Sequence, residues 1–264
     1  MQWCRECTHA PHLLHFCTGY PFLLPYSSFG QKPTMNYIIE ATREAFALIL
    51  SLDPEVVTIT LLSLRVALSA TFIAAILGIP FAYIVATREF PGKYILVTVF
   101  NTLMALPTVV VGLFCYSFLS RKGPLGFLDL LFTPSGIILG DVILAFPLIV
   151  GLTIAAVNSV DPRARMTAVS LGASPRQASI TILTEARFGL MAALFNGFGR
   201  VVAEVGSAIM LGGNIRGYTR TITTAIALET SKGEFAFGMA LGIILLTVAL
   251  SVNLSFRRLQ ARMK

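Results

Sequence analysis

Val66-Ala-Leu-Ser-Ala-Thr-Phe-Ile-Ala-Ala-Ile-Leu-Gly-Ile-Pro-Phe-Ala-Tyr-Ile-Val-Ala86 carries no Asp, Glu, Lys, Arg or His. About 20 mostly apolar residues in a helix cross the roughly 30 Å hydrocarbon core of a bilayer. Hydrocarbon leaves a spanning segment only two ways to satisfy its backbone, a helix or a closed barrel. This run has helix length, and four more follow it at 94–119, 136–157, 188–211 and 235–256. The residues before it, 54–64, are apolar too, but Arg65 interrupts, so they are placed at the membrane interface. Hydrophobic residues make up 55% of the 264 and charged ones only 12%, against about 25% charged in soluble domains. Mean hydropathy is +0.78. The expected fold is all-α, a polytopic bundle of about five transmembrane helices.

Residues 1–34 read differently from the rest. They hold Cys4, Cys7 and Cys17, the only Trp and all three histidines, His9, His12 and His15. That spacing fits no ordinary zinc finger, so no metal site is expected. The segment is read as a disordered or misassigned extension, with translation starting at Met35. Residues 35–53 have apolar faces broken by Glu40, Arg43 and Glu44, the pattern of an amphipathic interfacial helix.

Topology follows from the basic residues. Ten Lys and Arg fall in the connections containing Arg88, in the loop 158–187 and in the tail beginning at Arg257; the opposite connections hold six. The excess marks the first set as cytoplasmic. The N-terminus is then outside, the domain 54–257 spans the plasma membrane, and 258–264 is a basic cytoplasmic tail. The net charge of +7 is dispersed among these segments, so no nucleic-acid partner is implied.

The loop 158–187 is longer than chain connection needs. A helix from Pro162, a turn at Gly172 and a second helix opened by Ser174-Pro175 make it a helix-turn-helix that can dock a soluble partner. Within the fourth run, Arg200 and Glu204 stand four residues apart, one above the other on a helix face. A charge in hydrocarbon costs at least about 2.5–3.5 kcal/mol. The two are read either as a self-satisfied pair or as lining a path in which the Arg fork meets the oxygens of an anion. The outer loop 212–234 offers Asn214, Arg216, Thr219 and Arg220 to an anion or to the protein that delivers it. No Gly-x-x-x-x-Gly-Lys-Ser/Thr loop is present, so the chain is not expected to hydrolyse ATP or to hold a cofactor, and no catalytic residues are assigned.

Thr167-Ala168-x-x-x-Gly172, with Ala173 beside it and Ile182 ten residues on, resembles the EAA motif of ABC importer permeases. Met166 stands where that family has Glu, and Thr184-Glu185 where it has Leu-Pro. Ala105-Leu-Pro107-Thr108-Val-Val-Val-Gly112 and Gly199-Arg-Val-Val-Ala-Glu-Val-Gly206 look like second- and fourth-span motifs of molybdate and tungstate permeases. The stretch 211–229 and Glu185-Ala-Arg-Phe-Gly189 look most like the tungstate branch. The resemblance implies an ABC type-1 permease fold and ATP-driven import of an oxyanion, with tungstate first and molybdate or sulfate as alternatives. It implies that Met166, Thr167, Ala168, Gly172, Ala173 and Ile182 couple to separate cytoplasmic ABC ATPase subunits, which use ATP and Mg. It places Pro107, Thr108, Arg200 and Glu204 on the path or gate. It also implies an extracytoplasmic oxyanion-binding protein and a homodimer. A non-transporting membrane scaffold is the alternative from another class.

Overall fold

A computed structural model describes residues 35–262. The expectations for residues 1–34, the zinc reading and the start at Met35 among them, lie outside the described residues. The chain separates into units 1–40 and 41–264. Of the first unit, only the opening of helix α1 (Met35–Leu50) is described. The second unit holds the remaining helices.

Among the described residues the structure is helical, without strands. Helix α2 (Pro54–Thr87) is one unbroken rod of 34 residues, about 50 Å at 1.5 Å per residue. The expected interfacial piece and the span are parts of this one helix, and no Pro or Gly lies between Pro54 and Gly78. Asp53 opens the helix by accepting the Glu55 and Val56 N–H groups, at 2.8 and 3.3 Å. Helix α5 (Pro134–Asn158) is the hub and packs against α2 and the helices on either side of it. The last long helix is α11 (Phe235–Arg262).

The run 94–119, expected as one crossing, is two helices, α3 (Lys93–Leu103) and α4 (Thr108–Leu119), bent by 100°. Pro107 is the cause: it has no N–H to continue the ladder, and it drives Leu106 away from helical backbone. The run 188–211 also breaks, into α8 (Arg187–Val202) and α9 (Gly206–Gly212). Here no proline acts. The Glu204 side chain accepts the Ser207 N–H at 3.0 Å, taking the place of a ladder carbonyl. Between α5 and α8 lie α6 (Pro162–Ser170) and α7 (Pro175–Glu185), the latter bent 66° from α8. Three helices are long and apolar enough to cross a membrane, and five crossings result if each of the bent pairs α3/α4 and α7/α8 is one span. The chain is thus a polytopic helical membrane protein.

The two breaks face each other. At Gly112 in α4 a Cβ would stand 3.0 Å from Ser207 Cα, and at Gly206 one would stand 2.9 Å from Val109 Cγ2 and 3.1 Å from Thr108 Oγ1. Only glycine allows this backbone approach, a common means by which helices associate in lipid. Val111, Cys115, Leu119, Leu144 and Leu211 close the contact from the side.

At one end of the bundle the α2 start meets helix α10 (Ile222–Lys232) and the loop before it. Arg216 bonds Glu55 through Nε at 2.8 Å and through Nη2. Arg220, 9% exposed, shares Nη1 between Glu55 at 3.3 Å and Glu229 at 3.5 Å, and Lys232 reaches Glu229 at 2.9 Å. The bonds join residues up to 165 positions apart and tie α2 to α10.

Two outcomes are expected for thermal unfolding in detergent. Gly112→Val must displace the Ser207 backbone and is expected to cost about 1–3 kcal/mol, whereas Gly199→Ala, with open space at its Cβ, leaves the transition unlowered. Arg220→Ala removes the buried cation between Glu55 and Glu229, leaving Glu229 to Lys232 alone, and is expected to cost about 1–3 kcal/mol, while exposed Arg216→Ala changes little.

Candidate translocation site

The break at 203–205 builds a polar site inside the bundle. Glu204, 4% exposed, is held twice: its carboxylate accepts the Ser207 N–H, and its backbone carbonyl accepts the Thr223 hydroxyl. Arg200 stands in the last turn of α8, half-exposed, with Nη1 3.8 Å from Glu204 Oε2. The two charges therefore meet as the four-residue spacing predicts, although Glu204 lies just beyond the helix end. Pro107 caps α4, and Thr108 in its first turn lies against Gly206, two residues past Glu204.

The site contains a residue that sequence reasoning missed. Asp141 of α5 is 2% exposed and its Oδ1 has no hydrogen-bond partner. It lines a cavity of about 10 Å³ together with Ser63, Glu204, Thr221 and Thr223. The available signal was a lone acid in an otherwise uncharged spanning run, which is costly unless it has a role. The Ser63 hydroxyl also accepts the Ile222 N–H at 2.7 Å, fixing the start of α10 against α2.

The residues expected to greet an anion from the loop 212–234 serve the loop itself. Asn214 donates to the Thr224 carbonyl at 3.2 Å and accepts the Thr224 hydroxyl at 3.1 Å. Thr219 is fully buried; its hydroxyl donates to Gly212 O and accepts the Ile215 N–H at 3.0 Å. Arg216, largely exposed, and Arg220, buried, are bound to carboxylates, so all four side chains have partners within the chain. Glu55 and Glu229, which complete the network, were not singled out from sequence. The Glu55 hydrogen bond raises the Arg216 pKa.

The loop between α5 and α8 has two faces. Asp161 caps α6 by accepting the Arg163 N–H at 2.8 Å, and Ser174 with Gln177 forms a capping box on α7. Gly172 joins the helices at φ +82°, left-handed backbone that suits glycine. Nothing on α6 is buried: Met166 is 59% exposed and Leu171, just beyond it, 83%. Thr167 is exposed, and Ala168 and Ala173 are half-buried. Helix α7 instead buries Ala178 and Ile182, the latter among Ala82, Val85, Phe100, Val150 and Ile154. Tyr83 donates to Ser179 at 2.8 Å. Of the six loop residues expected to couple, Ile182 thus anchors α7 in the bundle, and the others sit on or beside the projecting helix.

Known proteins share this arrangement. Residues 78–264 match the family described as binding-protein-dependent transport system inner membrane component. A probable anion ABC transporter permease protein of Haloferax volcanii is 43% identical over 202 residues, covering 75% of this chain and 87% of its own. The tungstate uptake system permease protein TupB of Peptoclostridium acidaminophilum is 39% identical, covering 86% and 99%; that of Campylobacter jejuni is 36% identical, covering 86% and 95%. The crystal structure of an amino acid ABC transporter with histidines superposes with a TM-score of 0.55 over 83% of this chain and 96% of its own, at 18% identity, and so shares the fold. With its bent spans and projecting loop, the chain belongs to the family of binding-protein-dependent transport system inner membrane components, the permease subunits of ABC importers.

Proposed function

We propose that this permease imports tungstate, with Arg200 on the path of the dianion. The observation that carries the reading is the convergence of the two helix breaks. Thr108 in the first turn of α4 lies against Gly206, two residues past Glu204, so the α4 start and the Arg200–Glu204 break are neighbours, and non-helical backbone at membrane depth is tolerated where protein buries it or where it lines a water-filled cavity. The half-exposed guanidinium is held by Glu204 only at 3.8 Å, beyond hydrogen-bond length, so it remains available to a tetrahedral oxyanion. The tungstate assignment draws on the two uptake permeases at 39% and 36% identity.

In this reading the loop 158–187 faces the cytoplasm and the N-terminus lies outside. Two copies form the pathway, two ATPase subunits seat on α6, and an oxyanion-binding protein delivers from outside. Closure of the ATPases on ATP moves α6. Gly172 passes the motion to α7, and the buried Ile182 with the Tyr83–Ser179 hydrogen bond hands it to α2 and α5. A switch requires contacts that differ between states, and the exposed Met166, Val169 and Leu171 supply apolar surface for them.

Uptake of tungstate into proteoliposomes holding permease and ATPase tests both parts. Arg200→Ala is expected to reduce uptake at least tenfold with assembly intact, and normal uptake overturns the path assignment. Gly172→Val, forced into left-handed backbone, is expected to leave ATP hydrolysis running while uptake falls; a wild-type ratio of the two removes α6–α7 from the coupling route.

A further inference from the structure

We propose that Asp141 is a second seat for the Arg200 guanidinium, so that Arg200 alternates between Glu204 and Asp141 as the permease changes state. This rests on the path reading of Arg200 and adds the residue that receives it.

The site holds two carboxyl groups and one guanidinium. Asp141 is 2% exposed and Glu204 4%, and both line the same cavity of about 10 Å³, a volume near that of one water molecule. Asp141 Oδ1 has no hydrogen-bond partner. An acid left unpaired inside a membrane bundle is costly, and such residues pair with one another or line a functional route. Arg200 is the cation at hand: it stands at Glu204, which shares the cavity with Asp141, and α8 packs against α5. Its present bond is weak, since 3.8 Å lies at the outer limit of an ion pair. Glu204 does not need Arg200 to stay in place, because Ser207 N–H and Thr223 hold it on both sides. The guanidinium can therefore leave one carboxyl without unfolding the break, and a neighbouring carboxyl has an oxygen unpartnered. Hydroxyls of Ser63, Thr221 and Thr223 around the cavity ease a charge crossing between them. Two carboxyl groups on one cavity, with the cation now at one of them, give a two-state element, and a passing dianion biases it by competing for the same fork.

The test is a mutant cycle on thermal unfolding of the purified permease, read without transport. In the wild-type background Asp141→Asn removes an unpaired carboxyl and is expected to leave the midpoint unchanged or raised. In the Glu204→Gln background Arg200 moves to Asp141, so the same Asp141→Asn change is expected to lower the midpoint by about 3 °C or more. Adding Arg200→Ala abolishes the difference between backgrounds. An equal effect of Asp141→Asn in both backgrounds overturns the proposal. In proteoliposomes Asp141→Asn is expected to cut tungstate uptake at least tenfold and Asp141→Glu to retain it within threefold. Uptake by Asp141→Asn within twofold of wild type also overturns the proposal, whereas normal uptake by Arg200→Ala alone overturns the path reading on which it rests.

Discussion

Hydrocarbon offers no partner to a backbone N–H or C=O, and every departure from helix in this chain must be covered by protein. That constraint explains where the helices break. Just past the interruptions at 104–107 and 203–205, α4 and α9 approach each other at Gly112 and Gly206, and the second interruption is held by Glu204, whose carboxylate takes up a free N–H and whose carbonyl takes up a hydroxyl. Even beyond the bundle core, the Phe132 N–H finds the Leu211 carbonyl at the end of α9, at 2.7 Å. The break at 203–205 thus lies where polar groups are gathered.

The charges divide by the same logic. Those at the start of α2 form a connected set: Glu55 and Glu229 against Arg216, Arg220 and Lys232, at the rim of a polar pocket of about 280 Å³ with Glu234 and Phe237. They hold α2 to α10. Those inside are unbalanced, two acids to one base, and the base is the exposed member. A saturated network fixes geometry. An unsaturated one retains the capacity to rearrange, and this difference separates the cluster at the α2 start from the one inside the bundle.

The loop between α5 and α8 applies a third solution. Helix α7 is built into the bundle by Ile182 and Ala178, while α6 stands off it with apolar side chains in solvent. The glycine turn between them is the one point where the two helices are joined without shared burial. The packing partners of α7 come from α2, α3 and α5.

By itself the sequence determined the solvent, the helical class and the polar loop with its Ser174-Pro175 start, because these depend on composition and on patterns within one helix length. Pro107 marked a break without stating its 100° bend. The interruption at 203–205 was hidden, since no proline announces it and Glu204 acts through a side-chain bond that an uninterrupted helix would not need. The Arg200–Glu204 pair was legible from spacing. Its neighbour Asp141, and the Glu55–Arg220–Glu229 network, were decided only by tertiary structure. Their partners lie on other helices, up to 165 residues away, and periodicity along a chain carries no information about which faces of different helices will meet.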